Sequence, residues 1–185
     1  RQAAALSREV NFTTLPERLK KVVVWLDPEE YKSTWLGNKS IYRTRMAIAD
    51  DGELVVLAPG VKTFGEDPAI DRLIRKYGYR TTPEILAFTD DNDDLKENLS
   101  AAAHLIHGSP ENRFRVTYAA GHLTRKEVES VGYGFGELAA LMQEYDPLSL
   151  QTGFHRNADG EEFYFISNPA TGLWRAANQT NEDRY

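Results

Sequence analysis

Residues 22–27 read VVVWLD, a short apolar run in which three of the six side chains are β-branched valines. A run of this length with no alternating polar residues is typical of a strand that is buried on both faces of a sheet. A second run of the same kind, ELVVLAP, follows at residues 53–59. These two stretches therefore predict the central strands of the fold.

The segments on either side of these strands alternate between helical and strand patterns. Further strands are predicted at residues 113–120 and 161–169, with a turn or very short strand at 132–135. Helices are predicted at residues 15–21 (capped by Thr14), 39–50, 68–77, 82–90, 92–107, 124–131 and 136–147, and Asp51-Gly52 is expected to be a turn. Strands that alternate with helices predict an α/β fold, namely a layered α/β/α domain with a mainly parallel sheet.

Composition excludes several classes of protein and site. The 185 residues carry a net charge of −6, which disfavours general binding to a nucleic-acid backbone. No apolar run approaches the ~20 residues that a membrane helix needs, and the expected location is cytoplasmic. Cysteine is absent, so disulfides, thiolate metal sites and cysteine nucleophiles are excluded.

The chain begins RQAAALSREV, without an initiator methionine or a signal-peptide pattern. We therefore expect a fragment of a longer protein. Residues 1–21 are predicted to be an approach with a short helix that follows a missing preceding domain. Residues 22–175 are predicted to form the domain itself, and 176–185 a polar tail.

Two loops are expected to meet at one edge of the sheet, because ligands of parallel sheets bind beyond the carboxyl ends of the strands. One loop follows Asp27 and the other follows Pro59. The second, APGVKTFGEDP (58–68), combines two glycines with Lys62, Glu66 and Asp67. It is either a functional loop or a turn that Gly65 and its neighbours merely shape, and the sequence leaves both interpretations open.

The first loop leads into TWLGNKSIYRTR, residues 34–45. Lys39 is expected in the first turn of a helix, where an anion is favoured and an unpaired cation is not. A bound carboxylate or phosphate would neutralise this lysine, and so would a protein carboxylate such as Glu29 or Glu30. The residues alone do not decide between a ligand and a salt bridge.

Other motifs give weaker signals. VGYGFGEL (131–138) lacks the spacing and the preceding strand of a dinucleotide loop, so its glycines are interpreted as a tight turn. His104 and His107 have i, i+3 spacing but no HExxH pattern, so a role at the helix end is favoured over metal binding. No metal site is predicted.

Most of the chain, from Val22 to Trp174, resembles the C-terminal domain of the nickel-pincer lactate racemase family. The resemblance is carried by LDPEEYKSTWLGNKSIYRTRMAIADDGELVVLAPGVKTFGEDPAIDRLIRKYGY (26–79) and by NLSAAAHLIHG (98–108). It implies a two-domain enzyme with its active site between the domains. The implied cofactor is a nickel pincer nucleotide that the missing N-terminal domain binds and that accepts and returns a hydride of a 2-hydroxy acid.

The resemblance also implies candidate site residues. Members that act on lactate carry a Tyr-Gln-x-x-Lys motif in this domain, and Lys39 matches its lysine, whereas Trp35 and Leu36 stand at the tyrosine and glutamine positions. Asn38 and Arg43 could then contact the substrate beside Lys39. The loop residues Gly65, Glu66 and Asp67 are candidates for the cleft, as is Leu99, near which the lactate enzymes place a tryptophan.

The predicted function is the substrate-side domain of a nickel-dependent 2-hydroxyacid racemase or epimerase, with a sugar acid as one candidate substrate. The fragment alone is expected to hold no cofactor and no catalytic residue. Its expected partners are a small hydroxy acid and its own N-terminal domain, without nucleic acid or membrane. Two alternatives remain, a non-catalytic anion-binding α/β module and half of a nicotinamide-dependent oxidoreductase.

Overall fold

The computed structural model describes residues 12–177. In this part of the chain the strands are β1 (Phe12–Leu15), β2 (Leu19–Trp25), β3 (Ile48–Ala58), β4 (Arg115–Ala120), β5 (Gly134–Phe135), β6 (Gly153–Arg156), β7 (Glu162–Ile166) and β8 (Leu173–Ala176). The helices are α1 (Thr34–Gly37), α2 (Lys39–Tyr42), α3 (Pro68–Tyr77), α4 (Thr82–Asp91), α5 (Asp93–Lys96), α6 (Leu99–His107), α7 (Arg125–Ser130) and α8 (Leu138–Tyr145). A short 3-10 turn at Pro169–Thr171 precedes β8.

Six of the strands form one sheet in the order β5-β4-β3-β2-β7-β6. Every pair in it is parallel except the edge pair β6–β7, which is antiparallel. The strands predicted from VVVWLD and ELVVLAP are the neighbours β2 and β3, with Val23 opposite Val55. The predicted α/β class and mainly parallel sheet are therefore confirmed.

The sheet has a core on each face, because successive side chains of a strand point to opposite sides. Val22 and Val24 of β2 belong to the larger core, which α1 to α7 help to build. Val23 and Trp25 belong to the smaller core, on which Leu141 and its neighbours in α8 pack. This accounts for the continuous apolar runs in the central strands and confirms the layered arrangement.

The helix predicted after Thr14 is wrong, since these residues lie in β1 and at the start of β2. Leu15 is buried where β1 pairs with β8, and buried Leu19 is followed by exposed Lys20 in β2. Pairing with distant strands thus outweighed the local capping signal of Thr14 and Pro16. Of the predicted approach and tail, residues 1–11 and 178–185 lie outside the described residues.

The helix predicted over residues 39–50 is also mostly wrong, because only Lys39–Tyr42 is helical. The carbonyl of Arg43 accepts from the amide of Trp174 at 2.9 Å, and that of Met46 accepts from Ala176 at 3.3 Å. Residues 43–47 therefore form turns, and two of their carbonyls bond to β8. Asp51-Gly52 lies inside β3 instead of at a turn, with Asp51 at φ 59° beside an irregular step of the β2–β3 pairing.

Two further differences come from local polar groups and from short strands. The helix predicted over 92–107 is interrupted at Asn98, whose side chain accepts from the amide of Ala101 at 3.1 Å and so starts α6 anew. Strands β6 and β8 were not predicted, since each has only four residues.

Among the helices of residues 12–177, none has the length and apolarity required to cross a bilayer.

Candidate functional site

The loops that follow β2 and β3 are bonded to each other at the carboxyl end of the sheet. The amide of Lys62 donates to the carbonyl of Lys32 at 3.0 Å, and the amide of Thr34 donates to that of Thr63 at 3.1 Å. The amide of Trp35 continues the pairing to Phe64 at 2.9 Å. The prediction that these loops meet at one edge is confirmed, and we call residues 27–33 and 59–67 together the rim.

A cleft of about 430 Å³ opens in the rim. This rim cleft is lined by Lys32, Ser33, Lys62, Thr63, Gly65, Glu66, Asp67, Pro68 and Asp71. The three loop residues that the sequence nominated, Gly65, Glu66 and Asp67, all lie in its wall. Its volume falls within the range of small-molecule sites, so the rim cleft is a candidate binding site.

Two carboxylates of the rim cleft have structural partners. Glu66 accepts a hydrogen bond from the hydroxyl of Ser33, which joins the two loops. Asp67 caps α3 by accepting from the amides of Ala69 at 2.8 Å and Ile70 at 2.9 Å. Such a cap satisfies amides that would otherwise have no partner, and its loss typically costs ~1 kcal/mol.

The third carboxylate, Asp71, holds the loop in shape. Its Oδ1 accepts from the amides of Phe64 at 2.8 Å and Gly65 at 3.1 Å, and its Oδ2 accepts from Nε of Arg75 at 2.6 Å. Burial alone would raise the pKa of Asp71, but the hydrogen bonds from Arg75 and these amides hold that pKa below its ordinary value. A Cβ at Gly65 would lie 2.4 Å from the amide nitrogen of Asp71, so only glycine fits there.

Lys39 lies beside Tyr31 of the rim, near the residues that follow β7. Its Nζ stands 5.7 Å from the ring centroid of Tyr31, and the hydroxyl of Tyr31 donates to Asn168 at 3.0 Å. Within residues 12–177, Lys39 forms no ion pair with a carboxylate. The salt bridge to Glu29 or Glu30 that the sequence left open is therefore not formed, and Lys39 does not line the rim cleft.

The two residues predicted to assist Lys39, Asn38 and Arg43, each bond to other parts of the protein through one nitrogen of the side chain. Asn38 is fully buried and its Nδ2 donates to the hydroxyl of Tyr133 at 3.2 Å, so the prediction that Asn38 contacts a substrate does not fit this position. Arg43 is half-buried and donates to the carbonyl of Gly172 at 3.2 Å, which ties α2 to the start of β8. Arg43 therefore has a structural role, and its contact with a substrate stays a prediction.

A buried polar network, formed by Thr34, Tyr79 and His104, lies beneath the rim. The hydroxyl of Thr34 donates to the carbonyl of Phe64 at 2.9 Å and lies 2.8 Å from that of Tyr79, which lies 3.0 Å from Nε2 of His104. The network anchors the start of α1 on the β3 loop and on α6. Burial, helped by the charge of His107, lowers the pKa of His104 to about 3, so its imidazole is neutral.

Sequence reasoning missed this network because its members are far apart in the chain. His104 is a buried residue whose Nε2 is bonded to Tyr79. Among the described residues, no group of three or more histidine, aspartate or glutamate side chains could hold a metal ion. The i, i+3 spacing of His104 and His107 was the available signal, and it did not identify Tyr79 or Thr34 as partners.

The remaining nominated residues are apolar and differ in exposure. Trp35 is half-buried and stacks on His104 with ring centroids 4.5 Å apart, while Leu36 packs against the larger core. Leu99 is the first residue of α6 and is 64% exposed. Trp35 and Leu36 thus contribute to the packing of α1, and Leu99 is free to contact another surface.

Comparison with known proteins gives a likeness at the level of fold. No family model matches the chain, and a search of curated proteins finds no match. A crystal structure of a Thermotoga maritima protein superposes with a TM-score of 0.69 at 20% identity, covering 95% of this chain and 41% of that one. The lactate racemase apoprotein from Thermoanaerobacterium thermosaccharolyticum superposes with a TM-score of 0.60 at 10% identity, covering 94% of this chain and 39% of that one.

These likenesses establish that the chain has the fold of a part of lactate racemase. The chain spans about two fifths of the length of either solved protein.

Proposed function

We propose that this chain is the substrate-side domain of a larger enzyme that racemises or epimerises a 2-hydroxy acid by hydride abstraction and return. The observation that carries the proposal is the match in fold to the lactate racemase apoprotein over 94% of the chain. The larger part of that protein has no counterpart in this chain. The proposal assigns the cofactor and the acid–base residues to such a further domain.

Within the proposal, Lys39 binds the carboxylate of the substrate. Lys39 is a half-buried residue at the carboxyl end of the sheet, and no carboxylate of residues 12–177 forms an ion pair with it. A charge-assisted hydrogen bond to a substrate would satisfy it and contributes about 1.5–3 kcal/mol. The resemblance places Trp35 and Leu36 at the tyrosine and glutamine positions of the lactate enzymes. Leu36 has no hydrogen-bonding group and Trp35 has only an indole N–H donor, and this change supports an acid other than lactate.

The described residues do not fit a nickel site, because they contain no suitable group of ligands. The nickel pincer nucleotide therefore belongs to the further domain in this proposal. The task of the present chain is confined to binding and orienting the acid at the interface between domains.

The proposal is tested in the full-length protein that contains this chain, produced together with the machinery that matures the cofactor. We expect stoichiometric nickel and turnover of at least one member of a panel of hydroxy acids. Replacing Lys39 by alanine should then lower kcat/KM about tenfold or more, since one charge-assisted contact to the substrate is lost. The matched control is Lys20→Ala, which removes an exposed lysine at the other end of β2 and should change kcat/KM little.

Two outcomes would contradict the proposal. A matured full-length protein without nickel and without activity towards any hydroxy acid would favour the anion-binding module. Unchanged kinetics per folded molecule in the Lys39→Ala protein, together with lost stability, would make Lys39 a structural residue.

A further inference from the structure

We propose that Tyr133 is a positioning residue for Lys39, acting through Asn38, so that the lysine meets the substrate in a fixed orientation. The inference rests on the proposed function, in which Lys39 binds the substrate carboxylate. Tyr133 belongs to the glycine-rich segment VGYGFGEL (131–138), whose glycines the sequence predicts to form a tight turn. It lies between α7 and β5, far from Lys39 in the chain.

Asn38 is the junction between α1 and α2. Its amide donates to the carbonyl of Thr34 at 2.8 Å, and its carbonyl accepts from the amides of Ile41 at 2.9 Å and Tyr42 at 3.1 Å. Lys39 follows directly as the first residue of α2. The direction in which the backbone presents Lys39 is therefore set by how Asn38 is held.

The side chain of Asn38 does not take the usual role of an asparagine at this position. An asparagine that precedes a helix commonly accepts a hydrogen bond from an amide of the first turn. The side chain of Asn38 makes no such bond, and its Nδ2 donates instead to the hydroxyl of Tyr133 at 3.2 Å. Its Oδ1 is buried without a hydrogen-bond partner among residues 12–177, an arrangement that costs stability. The bond to Tyr133 is therefore better explained by the position that it fixes than by the stability that it adds.

Tyr133 is itself held in place on both faces and at its hydroxyl. Its ring stacks on those of Tyr79 and Tyr118, with centroids 4.6 and 5.5 Å away, and its hydroxyl donates to the carbonyl of Gly108 at 2.8 Å. Burial raises the pKa of Tyr133 well above its ordinary value, so the hydroxyl keeps the proton that it donates. A Cβ at Gly108 would lie 2.4 Å from Nδ2 of Asn38, so only glycine lets these groups meet. Tyr133 thus joins the end of α6 to the junction between α1 and α2.

The experiment uses the full-length protein that contains this chain. Tyr133→Phe keeps the ring and removes only the hydroxyl, and Asn38→Ala removes the same hydrogen bond from its other side. The matched control is Tyr118→Phe, in the same stack of rings. The side chain of Tyr118 is also buried, but its hydroxyl has no hydrogen-bond partner among residues 12–177. Thermal melting establishes that each variant is folded.

We expect Tyr133→Phe to raise KM about three- to tenfold and to leave kcat within about twofold, because a displaced Lys39 binds substrate and transition state equally less well. Asn38→Ala should raise KM by a similar factor, and Tyr118→Phe should leave it unchanged. In a Lys39→Ala protein, Tyr133→Phe should have no further effect on KM, since its action passes through the lysine. The same rise in KM with and without Lys39, or an equal rise in Tyr118→Phe, would overturn the proposal.

Hydrogen exchange of residues 34–45, measured by mass spectrometry in the same proteins, tests the positioning without turnover. Tyr133→Phe should exchange faster in this segment than Tyr118→Phe, because the junction has lost a contact that holds it closed. Equal exchange in the two variants would also overturn the proposal. If the unmodified protein turns over no hydroxy acid, the proposed function fails, and this measurement still decides whether Tyr133 holds the junction.

Discussion

The two ends of the central sheet carry their charges in opposite ways. At the amino end, Lys21 bonds to Glu161 at 2.6 Å and lies 3.5 Å from Glu53, and Arg113 bonds to Asp50 at 2.8 Å. Burial alone would lower the pKa of Lys21, but the hydrogen bond to Glu161 and the nearby acidic groups raise that pKa above its ordinary value. The charges at this end therefore neutralise one another.

At the carboxyl end the lysines are left uncompensated. Lys39 and Lys62 form no ion pair with residues 12–177, and Lys32 reaches Glu29 only at 3.9 Å. Of the carboxylates at this end, Glu66 accepts from a hydroxyl and Asp67 from backbone amides, whereas Asp71 is bonded to Arg75 and to two amides. Lysine therefore forms ion pairs at the amino end of the sheet, whereas at the carboxyl end it is left with a weak ion pair or none. The amino-acid composition of the chain does not reveal this difference.

The largest effect should follow from removing a charge at the amino end. Lys21→Met leaves Glu53 and Glu161 without their common cation, and the side chain of Glu53 is only 17% exposed. We expect a loss of about 2–3 kcal/mol in the free energy of unfolding, measured by urea denaturation. Lys62→Met at the carboxyl end should change that free energy by less than about 0.5 kcal/mol. Equal losses in the two variants would abolish the distinction between the ends.

A second prediction concerns the pH dependence of the buried network beneath the rim. The pKa of His104 is about 3 in the folded protein and about 6.5 when unfolded, so the unfolded state takes up a proton first as pH falls. Stability should therefore be fully present above pH 6.5 and decline as pH falls from about 6.5 towards 3. Between pH 6.5 and pH 5 we expect a loss of about 2 kcal/mol from this group.

The measurement is urea denaturation at several pH values in that window. His104→Gln has no group that titrates there, so its stability should depend less steeply on pH than that of the unmodified protein. His107→Gln, at a less buried histidine whose pKa is also lowered, should flatten the dependence by a smaller amount. A slope that is unchanged in His104→Gln would contradict the assignment.

The smallest loss of stability is expected at Asp71, whose carboxylate holds the shape of the rim through its bonds to Phe64, Gly65 and Arg75. Asp71→Asn retains an acceptor but weakens the contacts to Phe64, Gly65 and Arg75, and Arg75 keeps its bond to Glu127 at 2.8 Å. We expect a loss of about 1 kcal/mol and faster hydrogen exchange at the amides of Phe64 and Gly65. Asp90→Asn, at an exposed aspartate, should leave both quantities unchanged. Unchanged exchange in Asp71→Asn would show that the loop keeps its shape by other contacts.

The sequence predicted the central part of the fold better than its margins. VVVWLD and ELVVLAP identified β2 and β3 because a strand buried on both faces has few alternatives. Leu15 and Arg43–Met46 were predicted as helix, since nothing local shows that their backbone bonds to β8 at the far end of the chain. Tertiary pairing of this kind outweighs local propensity and leaves no trace in a short window.

The candidate site was predicted in part for the same reason. The order of strands and loops sufficed to bring Lys62, Gly65 and Glu66 beside the loop after β2. It did not show that Asn38 is buried under Tyr133 or that Thr34, Tyr79 and His104 are bonded together. Those contacts depend on how α1 and α6 pack, which only the three-dimensional structure reveals. A role in contacting the substrate or the cleft stays a prediction for Lys39, Trp35, Leu36, Arg43 and Leu99.

The strand order also has a consequence for synthesis of the protein. Val22 to Val24 of β2 pair with Tyr164 to Ile166 of β7, so this side of an early strand gains its neighbour only when the last part of the domain has emerged from the ribosome. Until then, an apolar β-branched segment presents unpaired backbone groups, which is the condition under which chains associate edge to edge. Truncation before β7 should therefore yield an aggregating chain rather than a smaller folded domain.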